Sequence, residues 1–343
     1  MRVALLGSAA PARLVMRDLA EHTQAEVVSA GAADGYAEAL SGADVALGLF
    51  ESEVKAENIA ATSAITAKVP YISSGQTAEA FQALGELDDQ ARTAGAMIVS
   101  GLGWAPGITN LMAKHAAGQL ETPQSVRIAW AGSCMGPLGQ SLLTRAIKAF
   151  SGDAVVFEDE TWRLEGAGKA AEQVFFPQPV GWRPVALCAA AEPLSIPQTI
   201  EGVKRVWVKG GMSEPWAHRQ ALKSADPWAR PSHGSGLVGI ARLGPWLQER
   251  LAGSAPPWSA ARVDVQGMSR GESKTVAYGI VDQLPNLASA PLVAGAILVG
   301  RMASKPAGVS APEQVFDPLE FFDLLAERGV RLARLEAPRP FVK

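Results

Sequence analysis

The first hundred residues alternate short apolar runs with longer segments in which apolar residues recur every three or four positions. The short runs are typical of buried strands, and the wider spacing is typical of amphipathic helices. Strands separated in this way by helices form a parallel sheet with helices on its faces, so residues 1–122 are predicted to fold as a Rossmann-like, doubly wound α/β domain. The predicted strands are 3–6, 26–29, 44–49, 69–72 and 96–99, and the predicted helices are 11–21, 36–40, 56–67 and 78–94.

The pattern changes near residue 122, where β-like runs follow one another with few helices between them. Turns rich in glycine and proline separate these runs, which favours antiparallel pairing. Residues 123–289 are therefore predicted to form a second, α+β domain with a largely antiparallel sheet, suited to substrate binding or oligomerisation. Within it, residues 213–257 are rich in tryptophan and proline, which indicates a lid or a contact between subunits. The predicted strands are 126–130, 154–157, 185–187, 203–208 and 262–265, and the predicted helices are 141–150 and, near the C-terminus, 316–329.

Composition narrows the classes of partner. Apolar residues make up 48% of the 343 residues and charged residues 19%, which is ordinary for a globular protein. A net charge of −3 gives no field suited to nucleic acid or to an anionic membrane, so a small-molecule substrate is expected. The apolar stretch 288–300 contains Pro291 and is shorter than the ~20 residues of a membrane span. We expect a cytoplasmic homodimer with no membrane segment and no nucleic-acid partner.

The loop after the first predicted strand lies where dinucleotide-binding folds carry G-x-G-x-x-G. Free backbone N–H groups and the helix dipole bind the diphosphate in that turn. Residues 7–12 read G-S-A-A-P-A, a G-x-A-x-x-A version of the pattern. Ala12 replaces a glycine that serves helix packing, whereas the methyl group of Ala9 would occupy space that the phosphates need. A relic loop kept for its shape is the alternative. The predicted cofactor contacts are Gly7, Ser8, Ala9, Ala10 and Ala12.

The second predicted strand ends without a residue that would identify the dinucleotide. An acidic residue there would bind the ribose 2′-hydroxyl of NAD, and a basic residue nearby would bind the 2′-phosphate of NADP. Ser29 could form a weak hydrogen bond to a ribose or a phosphate, whereas Asp34 lies slightly too late. No lysine or arginine occurs between Arg17 and Lys55. The sequence therefore predicts NAD or NADP as the cofactor, without a preference, and Ser29 as one contact.

The segment after the fifth predicted strand reads Gly-Leu-Gly-Trp-Ala-Pro-Gly-Ile-Thr-Asn over residues 101–110. It lies at the carboxyl edge of the sheet, where open α/β proteins bind ligands. After a Pro-Gly turn, Thr109 or Asn110 can cap a helix that continues to about residue 118. We expect this loop to lie against the nicotinamide end of a dinucleotide. The predicted contacts are Gly103, Trp104, Pro106, Gly107 and Asn110.

Residues 101–110 resemble the G-[FLW]-x-P-G-[LIM]-[ST]-N signature of the saccharopine dehydrogenase-like family, which includes saccharopine reductases, lysine 6-dehydrogenases and carboxynorspermidine dehydrogenases. Residues 43–45 and 69–73 are similar to two of the family's strands, and the stretch 308–330 is similar to its GV-x-x-PE ending. The resemblance implies an NAD(P)-dependent oxidoreductase acting on a C–N bond of a small amine, amino acid or imino acid. It also implies that residues from about 290 to 343 rejoin the first domain.

The same segment departs from two branches of that family. Lysine 6-dehydrogenases carry an aspartate and a cysteine at the positions of Gly101 and Leu102, and the polyamine enzymes carry an aspartate at the position of Ala105. Each acidic group that could hold a substrate amine near the transferred hydride is absent here. The alternative hypothesis is therefore a family member that has lost hydride transfer and uses the same cleft for non-redox chemistry or ligand binding.

Three residues are predicted to be catalytic. Proton transfer needs a titratable group in the cleft, and His115 follows the 101–110 loop by about two helical turns. Arg183, beside an aromatic residue in a compact turn, and Arg145, on the predicted helix 141–150, could each bind a carboxylate. A structural role on the surface or in the core is the alternative for all three.

The remaining histidines and both cysteines are weaker candidates. His218 and His233 lie in the tryptophan-rich segment, and no two histidines stand at a metal-ligand spacing, so no metal site is expected. Cys134, in a glycine-rich loop, is a better candidate for a reactive thiol than Cys188. A small buried thiol is the alternative for Cys134.

Overall fold

The computed structural model describes residues 1–8, 11–50, 53–75, 77–136, 138–225 and 257–336. The chain forms two compact units. The first unit contains Met1–Leu111 and Pro285–Gly329, and the second contains Met112–Leu284 and Val330–Lys343. The chain therefore leaves the first unit after Leu111 and returns to it at Pro285.

Strands and helices are numbered here in chain order over the described residues. The strands are β1 (Arg2–Leu6), β2 (Glu26–Ala30), β3 (Val45–Gly48), β4 (Tyr71–Ser73), β5 (Met97–Val99), β6 (Thr122–Gly132), β7 (Asp153–Glu158), β8 (Thr161–Gly166), β9 (Glu172–Phe175), β10 (Trp182–Leu187), β11 (Arg205–Met212), β12 (Trp258–Ser269), β13 (Glu272–Gln283), β14 (Gly308–Ser310) and β15 (Ala333–Leu335). The helices are α1 (Ala12–His22), α2 (Tyr36–Leu40), α3 (Val54–Ala67), α4 (Ala78–Gly85), α5 (Asp88–Ala94), α6 (Ile108–Ala117), α7 (Gly139–Ala149), α8 (Glu192–Thr199), α9 (Pro215–Ala225), α10 (Leu284–Arg301), α11 (Pro312–Val315) and α12 (Pro318–Glu327).

A six-stranded parallel sheet forms the centre of the first unit, in the order β14-β5-β4-β3-β1-β2. The strands β3 and β4 are buried along their whole length, as continuous apolar runs of a parallel sheet require. The predicted doubly wound α/β fold is confirmed. Strand order reverses beside β1, because β2 pairs on one side of it and β3, β4 and β5 follow on the other.

The predicted helix over residues 78–94 is two helices in the structure, α4 and α5. Helix α4 ends at Gly85, and α5 begins at Asp88. The Asp88 carboxylate accepts a hydrogen bond from the Val309 backbone N–H at 2.7 Å and one from the Arg92 guanidinium at 2.7 Å. A new helix therefore starts where an acidic side chain ties it to β14, a contact between residues that are distant in sequence.

A mixed sheet forms the centre of the second unit. Seven of its nine strands run in the order β15-β13-β12-β6-β11-β10-β9, and β7 pairs with β11 and with β8. Most pairs are antiparallel, as predicted, but β6 and β11 are parallel neighbours. The final strand β15 pairs with β13, whereas the sequence analysis groups all of 290–343 with the first domain.

Two segments of unusual composition are the tryptophan-rich segment 213–257 and the apolar stretch 288–300. Helix α9 begins at Pro215, inside the predicted lid or subunit contact, but residues 226–256 of that segment lie outside the described residues. Helix α10 begins four residues before the apolar stretch 288–300 and has 18 residues, long and apolar enough to span a membrane by length and composition. Its most apolar window is 72% buried within the fold, as in the core helix of a globular domain.

Candidate functional site

A sharp turn at Gly7 follows β1. Gly7 has a φ of +98°, in the left-handed region that favours glycine. A Cβ at this position would lie 2.5 Å from the Leu49 carbonyl oxygen, and the Gly7 N–H donates to the Ala30 carbonyl at 2.9 Å. The turn thus packs against the ends of both neighbouring strands, and only glycine fits it.

Helix α1 begins directly after this turn. Pro11 precedes Ala12, the first residue of the helix, and the first turn carries no acidic side chain. The free N–H groups at such a helix start favour anions. Ser8 is exposed on the approach to the helix, whereas Ala9 and Ala10 lie outside the described residues. The crowding expected from the Ala9 methyl group therefore stays a prediction.

A pocket of about 340 Å³ opens where the strand order reverses. The loops after β1, β2 and β3 line it, together with the start of α3. Open α/β sheets bind ligands at such a reversal, outside the carboxyl ends of the strands. The lining residues are Ser8, Gly31, Ala32, Ala33, Tyr36, Leu49, Phe50, Glu53, Ala56 and Ile59. We call this cavity the switch-point pocket.

Tyr36 and Glu53 are the titratable groups among the described residues that line the switch-point pocket. Tyr36 is buried, and Glu53 is exposed. Burial raises the pKa of Tyr36 above its ordinary value, and the negative charge of Glu53 raises it further, so the two side chains are close enough to interact. Lysine and arginine are absent from the described lining. Neither group could be assigned to the pocket from the sequence, because their positions in it depend on the strand order.

Ser29 and Asp34 are close in sequence to residues that line this pocket, but they do not line it themselves. Ser29 is exposed on β2, the edge strand of the sheet. Asp34 is exposed in a short 3₁₀ turn, Ala33–Gly35. The predicted ribose or phosphate contact at Ser29 therefore stays a prediction.

A buried polar cluster joins helix α3 to strand β4. The Ser73 hydroxyl donates a short hydrogen bond to the Glu57 carboxyl group, and the Gly75 N–H donates to Ser73 Oγ at 2.8 Å. Burial raises the pKa of Glu57 to about 7, although the bond from Ser73 acts in the opposite direction. The neighbouring Tyr71 hydroxyl has no hydrogen-bond partner in the part of the chain that the structure describes. The Glu57 carboxyl group therefore has a pKa near neutral pH, well above its ordinary value.

The 101–110 loop folds back on itself at the end of β5. The Gly103 N–H donates to the Pro106 carbonyl at 2.9 Å, and the Ile108 N–H donates to the Gly103 carbonyl at 2.9 Å. Gly107 has a φ of +119°, and a Cβ there would collide with the Gly103 backbone. Trp104 is buried, with 3% of its surface exposed. The glycine at position 107 is therefore explained by the compact shape of the segment.

Asn110 joins this loop to the last part of the first unit. Its Oδ1 accepts a hydrogen bond from the Gly107 N–H at 2.9 Å, and its Nδ2 donates to Glu313 Oε1 at 3.0 Å. Both Asn110 and Glu313 are fully buried. Two of the segments that carry the sequence resemblance, 101–110 and 308–330, therefore meet through these side chains. The predicted contacts of this loop with a cofactor remain predictions.

The loops after the parallel strands β6 and β11 meet at one end of the second sheet. The Ser133 hydroxyl donates to Glu214 Oε1 at 2.5 Å, and the Cys134 N–H donates to Glu214 Oε2 at 3.0 Å. Burial raises the pKa of the Cys134 thiol well above its ordinary value, and Glu214 raises it further. Cys134 is therefore the small, unreactive buried thiol of the alternative interpretation.

Arg183 reaches the same end of the sheet. Its Nε donates to the Ser213 carbonyl at 2.6 Å, and a terminal N–H donates to the Trp182 carbonyl at 2.7 Å. These two bonds fix the guanidinium, so a substrate carboxylate would have to bind through the remaining N–H groups.

The other predicted catalytic residues lie on helices of the second unit. His115, half-buried on α6, packs its ring against Tyr278 with the centroids 5.0 Å apart. The Tyr278 hydroxyl accepts a hydrogen bond from the Gln119 amide at 2.8 Å. Arg145 is half-buried on α7. Catalytic roles for His115 and Arg145 stay predictions.

His218 and Cys188 belong to the core of the second unit. The His218 ring stands edge-on to Phe150, which stacks on Trp130. Burial lowers the pKa of His218, so the ring is neutral at physiological pH. Cys188 is buried, and burial raises its pKa. His233 lies outside the described residues, and the described part of the chain contains no group of three His, Cys, Asp or Glu residues that could hold a metal ion.

Comparison with known proteins bears on the fold. No protein-family model and no curated protein sequence matches the chain. Among solved structures, apo saccharopine dehydrogenase (L-Glu forming) from Saccharomyces cerevisiae matches with a TM-score of 0.64 and 14% identity, over 98% of this chain and 100% of that chain. A mutant meso-DAP dehydrogenase from Clostridium tetani E88, solved with DAP, matches with a TM-score of 0.50 and 12% identity, over 94% and 95% of the two chains. The resemblance predicted from residues 101–110 is therefore confirmed at the level of architecture: the chain has a saccharopine dehydrogenase-like fold.

Proposed function

We propose that the protein is an NAD(P)-dependent oxidoreductase that acts on a C–N bond of a small amine, amino acid or imino acid. The observation that carries the proposal is the switch-point pocket beside the Gly7 turn. Three features together suit a dinucleotide. They are a turn that only glycine fits, a helix start with free N–H groups, and a cavity where the strand order reverses. The shared fold with saccharopine dehydrogenase supports the same class of reaction.

Each part of the dinucleotide has a candidate partner in the first unit. Ser8 and the start of α1 at Ala12 would hold the diphosphate, since N–H groups there are directed at the ligand. The pocket between β2, β3 and α3 has room for the adenosine end. The 101–110 loop, at the carboxyl end of β5, would border the nicotinamide. When bound, the nicotinamide ring supplies the hydride chemistry.

The second unit would bind the substrate. Amines, amino acids and imino acids offer a nitrogen, and most also carry a carboxylate, which an arginine fork recognises well. Arg183 is held by two carbonyl bonds at one end of the second sheet, and it is the candidate carboxylate partner. His115 is the candidate for proton transfer, and Arg145 is the second candidate carboxylate partner.

A fluorescence titration with NADH and with NADPH tests the proposal. We expect saturable binding of at least one of them below millimolar concentration. Ser8→Glu should weaken binding about tenfold or more, because it places a negative charge beside the diphosphate. Gln82→Glu, which adds the same charge on the exposed surface of α4, should leave binding unchanged. The proposal fails if neither dinucleotide binds at millimolar concentration. Turnover of an amino acid panel, followed by NAD(P)H absorbance, tests the substrate class.

A further inference from the structure

The end of β2 does not supply the residue that usually identifies the dinucleotide. In a dinucleotide-binding fold, an acidic side chain about 20 residues after the glycine loop binds the ribose 2′-hydroxyl. Here the pocket wall formed by that loop consists of Gly31, Ala32 and Ala33. Asp34 follows them, but it is exposed and does not line the cavity. This wall of the pocket therefore carries no polar side chain.

An acidic side chain reaches the pocket from the opposite wall. Glu53 directly precedes α3 and lines the cavity together with Ala56 and Ile59. These three residues are spaced three apart, which places them on one side of the start of the helix. Lys55 lies off this side and is not among the lining residues. The Glu53 carboxylate is close enough to influence the Tyr36 hydroxyl on the β2 side. Glu53 and Tyr36 both line the cavity.

We propose that Glu53 replaces the missing β2 acid and makes the protein select NAD(H) over NADP(H). This inference rests on the proposed function and adds a cofactor preference to it. The Glu53 carboxylate accepts a hydrogen bond from the 2′-hydroxyl of the adenosine ribose, and Tyr36 provides a second polar group in the same cavity. A 2′-phosphate brings two negative charges to the same place, where the described lining offers no cation.

Binding constants of the wild-type protein for NADH and NADPH provide the first test. A hydrogen bond to a charged group and the repulsion of a phosphate each change affinity by about tenfold. We therefore expect NADH to bind at least about tenfold more tightly than NADPH. Fragments that contain only the adenosine end separate this pocket from the rest of the site, so 5′-AMP should compete with NADH better than adenosine 2′,5′-bisphosphate does.

Glu53→Gln is the discriminating variant, because it keeps the size of the side chain and removes its charge. Glu53 is exposed, so the change should not affect folding, which a thermal melt of the free protein checks. We expect NADH to bind more weakly and NADPH more tightly, so that the preference falls by about tenfold or more. Asp34→Asn is the matched control, since it removes an exposed carboxylate that follows β2 but does not line the pocket, and it should leave the preference unchanged.

The possible outcomes separate this inference from the proposed function. Equal binding of the two dinucleotides, tighter binding of NADPH, or a preference that survives in Glu53→Gln would overturn the role of Glu53 while leaving the oxidoreductase proposal in place. Loss of the preference in Asp34→Asn would transfer the role to Asp34. Failure of both dinucleotides to bind the wild-type protein would overturn both proposals.

Discussion

The carboxyl group of Glu57 is 2% exposed and is hydrogen-bonded by the Ser73 hydroxyl inside the first unit. Because burial disfavours the charged form, the pKa of Glu57 rises to about 7. A carboxyl group with a raised pKa in the folded state stabilises the fold in its protonated form. Its contribution is fully present below the ordinary value of 4.5 and is lost as the pH rises through about 7.

Glu57→Gln should therefore change how stability depends on pH. Between about pH 5 and about pH 8, ionisation of Glu57 should cost the wild-type protein up to about 3 kcal/mol, whereas the variant should not lose this amount. Urea unfolding at the two pH values measures the difference. Glu86→Gln, at an exposed position, is the control and should follow the wild type. Equal losses in wild type and Glu57→Gln would contradict the assignment.

Single residues also mark the limit of what the sequence could reveal about the candidate site. The glycine requirement at Gly7 could be predicted, because the loop pattern after a first strand is local. The presence of Tyr36 and Glu53 in one pocket could not be predicted, because these residues are separated in sequence and are brought to it by the strand order. The sequence predicts Thr109 or Asn110 as the cap of a helix and Asn110 as a cofactor contact, and the structure adds the bond from Asn110 to the distant Glu313.

At the scale of elements, hydrophobic periodicity located the five N-terminal strands and most of the helices between them. It could not show that α4 and α5 are separate, nor that Asp88 at the start of α5 accepts a hydrogen bond from Val309, which is distant in sequence. Nor could it show that β6 and β11 are parallel, because alternation along a strand does not specify the direction of its neighbour.

A buried ion pair ties α1 to the end of α12 in the first unit. The Arg328 Nε lies 3.2 Å from Asp18 Oδ1, and the Ser289 hydroxyl donates to Asp18 Oδ2 at 3.3 Å. The Arg328 side chain is only 3% exposed. The returning segment of the chain is therefore joined to the first helix through Asp18.

Arg328→Ala should destabilise the protein by up to about 3–5 kcal/mol, because it removes the buried cation from the Asp18 carboxylate and leaves beside it the His22 ring, whose Nδ1 lies 3.0 Å from Asp18 Oδ1. Arg17→Ala is the matched control, since Arg17 pairs with Glu21 on the exposed side of α1 and should cost at most about 0.5 kcal/mol. Chemical denaturation measures both. A loss for Arg328→Ala no larger than that for Arg17→Ala would show that the ion pair does not hold the returning segment.

For the whole molecule, the local sequence indicates the fold, whereas contacts between distant parts of the chain form the candidate site. The motif at residues 101–110 indicated the fold, which the comparison with saccharopine dehydrogenase confirms although only 14% of residues are identical. The proposed function depends on a cavity formed by three loops from separate parts of the first unit. No composition or periodicity could have located that cavity, because it exists only where the strand order reverses.

We propose that a dinucleotide binds in the switch-point pocket. Hydrogen–deuterium exchange with and without NADH tests its position directly, since it reports which backbone segments the ligand protects. We predict slower exchange in the segments 6–8, 31–36 and 49–59, with Ser8→Glu abolishing the effect at the same ligand concentration. Saturable binding of NADH without protection in these segments, or with protection confined to the second unit, would contradict the account.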